Sequence, residues 1–212
     1  MNKKELISNL TSNLKPVKRF IPCKKCMVVY SILTIVLTSI FVYFYGIRPD
    51  LCLACKKSSF LLDTFFLALL SISASFVAFK TMTPTKISKA AYLPFLFLAF
   101  WCLSILFKLI CAYKTCGPCA LQPGPGLNCL KETIIIATIP FLIISTFLSS
   151  ITSTRPIFTG VMISLACASI ATFALQFICN GTTPAHLLFW HFLPVIIICL
   201  LGLLIGKKIL KW

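Results

Sequence analysis

The stretch MVVYSILTIVLTSIFVYFYG, residues 27–46, carries no charged side chain and is long enough to cross the hydrocarbon of a bilayer. In lipid such a run must be helical, because every backbone N–H and C=O has to find its partner within the segment. Arg48-Pro49-Asp50 closes it. Five further runs share its character: 58–79, 90–113, 133–151, 158–178 and 187–206. The breaks after the second to fifth runs are Thr83-Pro84-Thr85, the Pro- and Gly-rich segment 118–126, Ser153-Thr154-Arg155-Pro156 and Asn180-Gly181-Thr182-Thr183-Pro184. All have the composition of turns. The expected fold is therefore all-α: a polytopic membrane protein with a six-transmembrane-helix bundle over residues 27–212. A short N-terminal cytoplasmic amphipathic arm, residues 1–26, precedes it. The break between the fourth and fifth spans is so short that these two should form an antiparallel hairpin.

Composition excludes a water-soluble globular enzyme. Of 212 residues, 59% are hydrophobic and 11% charged, with mean hydropathy +1.00. A soluble domain carries about a quarter charged residues. No cleavable signal peptide is expected, since the first 26 residues are too polar for an apolar signal core.

The net charge of +16 sits at the ends of apolar runs rather than on one folded face, so no direct nucleic-acid partner is expected. One side of the membrane would hold Lys3, Lys4, Lys15, Lys18, Arg19, Lys24, Lys25, Lys80, Lys86, Lys89, Arg155, Lys207, Lys208 and Lys211. The other would hold only Arg48, Lys56, Lys57, Lys114 and Lys131. The richer side is the cytoplasmic one, which places both termini there.

In the arm, Leu6, Ile7, Leu10 and Leu14 share one helical stripe, and Pro16 ends it. Two surfaces suit that stripe. Lysines at both ends fit anionic membrane lipid, and the apolar edge fits a groove on a cytoplasmic partner.

Twelve cysteines are a high count. Cys102, Cys167 and Cys199 lie within spans and read as small hydrophobes. Cys23 and Cys26 form a C-x-x-C on the cytoplasmic side. The other seven, Cys52, Cys55, Cys111, Cys116, Cys119, Cys129 and Cys179, gather on the outer side, where disulfides are permitted. Cys52/Cys55 and Cys116/Cys119 are both C-x-x-C pairs, suited either to thiol exchange or to a structural disulfide. Charged groups inside spans are costly, and Asp63 with Lys108 reads as a neutralising pair. Glu132, His186 and His191, near Cys129 and Cys179, are candidates for a small polar site. Thiolate and imidazole there would suit a zinc-like or soft metal. Phosphate loops, H-E-x-x-H and paired hydrolytic carboxylates are absent, so no catalytic residues, no cofactor and no enzyme activity are expected.

The ends of the chain then become informative together. Met1-Asn-Lys-Lys-Glu-Leu-Ile-Ser-Asn-Leu10 with Pro16-Val17, and Gly46-Ile-Arg-Pro-Asp-Leu51, resemble the NrsF-like family of bacterial membrane anti-sigma factors. So do Cys129-Leu130 opening the fourth span, Cys179 ending the fifth, Trp190-His191, and the tail from Gly202 through Gly206 to Trp212. The resemblance covers the whole chain. It implies a protein of the inner membrane that holds an extracytoplasmic-function sigma factor and releases it under stress. It also implies that Cys129 and Cys179 are the sensor thiols. The chain departs from the family pattern in its added C-x-x-C pairs and in Ile178, where a His often precedes the second cysteine. A quinone-linked membrane thiol-disulfide oxidoreductase and a structural or lipid-binding membrane protein are the alternatives from other classes.

Overall fold

The computed structural model describes residues 3–4, 11–12, 23–81, 89–148, 155–181 and 183–209. The arm residues Leu6, Ile7, Leu10 and Leu14 lie outside them. Six long helices follow one another: α1 (Cys23–Tyr45), α2 (Ser58–Thr81), α3 (Leu93–Cys116), α4 (Leu127–Leu148), α5 (Pro156–Ile178) and α6 (Leu193–Ile209). Six spans, at or near these bounds, are long and apolar enough to cross a membrane, and no strand occurs among the described residues. This is an all-α, multi-pass membrane architecture.

The fifth helix is the centre of the bundle. It is buried along most of its length and packs against α6, α2, α4 and α1. Its residues permit that position: Gly160, Ser164, Ala168, Ala171 and Ala174 present little bulk, so neighbouring backbones approach closely. Near its start the approach to α6 is backbone against backbone. A Cβ at Gly160 would stand 2.3 Å from the Gly202 carbonyl oxygen and 2.8 Å from Gly206 Cα. Two hydroxyls on this buried helix are satisfied inside it. Ser169 Oγ donates to the Ala166 carbonyl (3.0 Å) and Thr172 Oγ1 to that of Ala168 (2.9 Å), which offsets the cost of burying a hydroxyl. The peripheral helices instead turn large apolar side chains outward, among them Val28, Ile35 and Phe44 on α1 and Leu103, Phe107 and Ile110 on α3. Such faces suit lipid.

Asp63 and Lys108 meet across α2 and α3 as an ion pair. Ser104 Oγ donates to the second carboxylate oxygen at 2.8 Å, and Lys108 Nζ also donates to the Ser59 carbonyl at 3.1 Å. Asp63 is 2% exposed and the Lys108 side chain 20%, so the pair joins the two helices with its lysine end partly open.

Several boundaries differ from the expected ones, such as α1 starting at Cys23 rather than 27, and two of them shape the site. The fourth helix starts at Leu127, six residues before the expected 133. Lys131 and Glu132 are charged but do not interrupt backbone bonding, and long charged side chains at a helix end reach the polar boundary. The Leu130 N–H already bonds the Gly126 carbonyl at 3.1 Å. Before α6, residues Leu187–Phe192 form a widened π turn, in which the Leu193 N–H reaches the Leu188 carbonyl. Pro194 explains it: the ring has no N–H for the Trp190 carbonyl and crowds the preceding turn. A π turn accommodates this and re-aims the residues it carries.

Candidate functional site

Four side chains converge where α4 begins and α5 ends. Cys129 stands in the first turn of α4. Cys179 is the residue at which the chain leaves α5, extended at φ −78°, ψ 127°, while its N–H still bonds the Leu175 carbonyl at 2.8 Å. That departure from helical geometry lets its thiol come closer to α4 than two packed helix axes allow. His186 comes from a one-turn helix, Pro184–His186, whose free N–H is accepted by Thr183 Oγ1 at 3.3 Å. His191 is carried by the π turn.

The two sulfurs are 3.0 Å apart. His186 Nε2 lies 3.3 Å from Cys179 Sγ and 3.6 Å from Cys129 Sγ. The two imidazole rings tilt against each other at a centroid distance of 5.5 Å. All four donor atoms fall within 4.8 Å of one another. Both histidines are buried and both cysteines partly so. His186 Nδ1 faces the Pro123 carbonyl at 3.1 Å. A carbonyl only accepts, so Nδ1 carries the proton and the Nε2 lone pair faces the thiols, the arrangement found in metal-binding imidazoles. His191 is 1% exposed, and neither of its ring nitrogens makes a hydrogen bond of ordinary geometry. A buried polar group without a partner is costly.

Cys179 lies just beyond α5, and its thiol is held well below its ordinary value. The hydrogen bond with Cys129 is the largest cause; burial opposes it, and the His186 contact adds to it. The Gly181 N–H adds a contact at 3.3 Å. Cys179 is thus the thiol of the pair that ionises more readily, and a thiolate is both nucleophile and metal ligand.

The loop before α4 holds this arrangement from outside. Trp190 Nε1 donates to the Gly124 carbonyl at 3.1 Å, and a Cβ at Gly126 would sit 2.2 Å from the same indole. Pro123, Gly126 and Trp190 were legible only as turn residues and a Trp-His dipeptide. Of the other expected members, Glu132 lies one turn farther along α4 and is not among the four donors. Cys52, Cys55, Cys116 and Cys119 are exposed free thiols outside the cluster.

Chemically, two routes are open. Loss of two protons and two electrons to an oxidant would join the sulfurs. Alternatively, two sulfurs and two imidazole nitrogens match the donor set of a tetrahedral zinc-like ion, and the unpartnered His191 nitrogens fit that use.

The sequence profile of NrsF, negative regulator of sigma F, matches residues 10–212. The chain belongs to the NrsF family. None of the curated proteins and none of the solved structures compared matches it. As an NrsF protein it is a negative regulator of a sigma factor, with a sigma factor as partner, and the family describes a regulator rather than an enzyme. The match spans all six helices, so the Cys129–Cys179 cluster lies within the family's own region.

Proposed function

We propose that this NrsF protein sits in a bacterial inner membrane with both termini in the cytoplasm, as the Lys and Arg distribution favours. There it sequesters an extracytoplasmic-function sigma factor and releases it when chemistry occurs at Cys129 and Cys179 on the outer face. The observation that carries this reading is the convergence of Cys129, Cys179, His186 and His191 at one end of the bundle. The stripe Leu6, Ile7, Leu10 and Leu14 is the segment that binds the sigma factor, with membrane lipid as its resting competitor.

Coupling follows from where the thiols sit. Cys129 opens α4 and Cys179 closes α5, and both helices run on to the opposite face. The sulfurs stand 3.0 Å apart. A disulfide draws them to about 2.05 Å. A tetrahedral ion with metal–sulfur bonds of about 2.3 Å holds them roughly 3.8 Å apart. Either signal fixes the distance between the two thiols and so bears on how α4 sits against α5. The α5 helix is in turn keyed to α6 through Gly160 and Gly202. A regulatory shift needs only about 1–3 kcal/mol of coupling. The buried, unpartnered imidazole of His191 favours the metal signal, because a disulfide alone leaves that ring unused.

Co-purification tests the reading. Full-length protein extracted from membranes should bring the sigma factor with it. Recovery should fall on treatment with zinc or a thiol oxidant, and in Leu10→Asp and Leu14→Asp variants that still insert. A sigma factor that never co-purifies, or recovery unchanged in every arm, would remove the proposal. Reduction of quinone by the purified protein with a reduced thiol protein would instead support an oxidoreductase.

A further inference from the structure

A second polar site lies beside the thiol cluster. A cavity of about 240 Å³ opens between the linker after α1, the start of α2, the end of α3 and the end of α5. It is several times the ~30 Å³ share of one water. Arg48, Lys57 and Lys108 line it, against a single carboxylate, Asp63. Asp63 is already engaged by Lys108 and Ser104. Arg48 is 4% exposed and grips Asp50 through Nε and Nη2, each at 2.7 Å. Lys57 has no ion-pair partner among the described residues.

The decisive group is Gln176, on α5. It is 5% exposed, it lines the same cavity, and its Nε2 has no hydrogen-bond partner. Arg48 and Lys108 are balanced by Asp50 and Asp63, so the surplus charge is that of Lys57, and the Gln176 amide is the surplus donor. Phe60 and Leu187 supply apolar wall.

We propose that this cavity binds a phosphate group, presented either by a lipid headgroup or by a soluble phosphate. The donors come from three directions: Lys57 and Arg48 from the linker, Lys108 from α3 and Gln176 from α5. The tetrahedral oxygens of a phosphate can meet all three, whereas a planar carboxylate presents only two oxygens. Gly181 and Pro184, from the loop between Cys179 and His186, form part of the wall. The site is thus adjacent to the thiol cluster but built from different side chains, and its test does not depend on sigma-factor release.

The experiment uses full-length protein purified in an uncharged detergent. It is titrated with inorganic phosphate, glycerol 3-phosphate and dioctanoyl phosphatidylglycerol, with dioctanoylglycerol as the phosphate-free control. Native mass spectrometry and thermal unfolding read the binding. At least one phosphate probe should bind saturably and the control should not. Binding of the soluble probes assigns the site to free phosphate, and a requirement for the lipid assigns it to a headgroup. Lys57→Gln and Gln176→Leu should each weaken binding about tenfold, the effect of one charge-assisted or buried hydrogen bond, and Lys57→Arg should retain it. Lys57 is exposed, so Lys57→Gln keeps the test intact even if Gln176→Leu fails to fold. No saturable binding of any phosphate probe, equal binding of the control, or unchanged affinity in Lys57→Gln would overturn the proposal.

Discussion

Replacing Lys108 with methionine keeps the bulk of the side chain and strands the carboxylate it pairs with. Asp63 is 2% exposed, and its remaining partner is Ser104 at 2.8 Å. Removing one member of a buried pair costs about 3–5 kcal/mol, because the other charge is left uncompensated. The Lys108 side chain is 20% exposed, which lets water reach part of the gap. The lower end, about 3 kcal/mol, is therefore expected, a roughly 150-fold shift in the folding equilibrium. Asp63→Leu with Lys108→Met removes both charges and should return stability to within about 1 kcal/mol of the original. Reversible unfolding in mixed detergent–SDS micelles, followed by the fluorescence of the buried Trp101, measures all four proteins of the cycle. A Lys108→Met cost below about 1 kcal/mol would mean that the pair behaves as a solvated surface bridge. A double variant as unstable as the single would show that the cost comes from lost packing. Either result would refute the argument.

Gly160→Val should destabilise the bundle by about 1–3 kcal/mol or more in the same assay, since its Cβ would collide with the α6 backbone; a neutral effect would mean that α5 and α6 do not cross this closely. A membrane-impermeant maleimide applied from outside should label Cys52, Cys55, Cys116 and Cys119 and spare the buried Cys167; labelling of the first four only from the cytoplasmic side, or a fusion at Pro123 that reads cytoplasmic, would invert the topology. In chelator-treated protein, alkylation of Cys179 should begin at lower pH than for an ordinary thiol, because the Cys129 donor favours its thiolate. Cys129→Ala removes that donor and should move the alkylation curve to higher pH; an unmoved curve would assign the effect elsewhere.

The helical spans were readable because lipid imposes length and apolarity on the sequence itself, so 27–46 announces a helix without any partner. What governs their ends is subtler. The uncharged run alone begins at 133, yet a helix end at the polar boundary tolerates Lys131 and Glu132, and α4 extends back to Leu127. The central place of α5 was written in its small residues, Gly160, Ser164 and Ala168, but small residues acquire meaning only once a neighbour is known to approach. The cluster was legible in parts. Residue chemistry suggested a polar site of Cys129, Cys179, Glu132, His186 and His191, and the family resemblance made the two cysteines its sensor thiols. Spacing drew attention to Cys116/Cys119, and the structure leaves those thiols exposed. The contacts of Gly124 and Gly126 with Trp190 arise from the π turn, which local sequence signals only through Pro194, and that of Pro123 from the one-turn helix that carries His186.

The central claim is that the thiol pair at the outer ends of α4 and α5 governs sigma-factor release. The most direct measurement is a sigma-factor-dependent reporter in cells carrying the original protein, Cys129→Ser, Cys179→Ser or Cys116→Ser, with and without zinc or a thiol oxidant. The account predicts induction in the original and in Cys116→Ser, and continued repression without induction in Cys129→Ser and Cys179→Ser. Normal induction in both of those variants, with induction lost in Cys116→Ser, would contradict it.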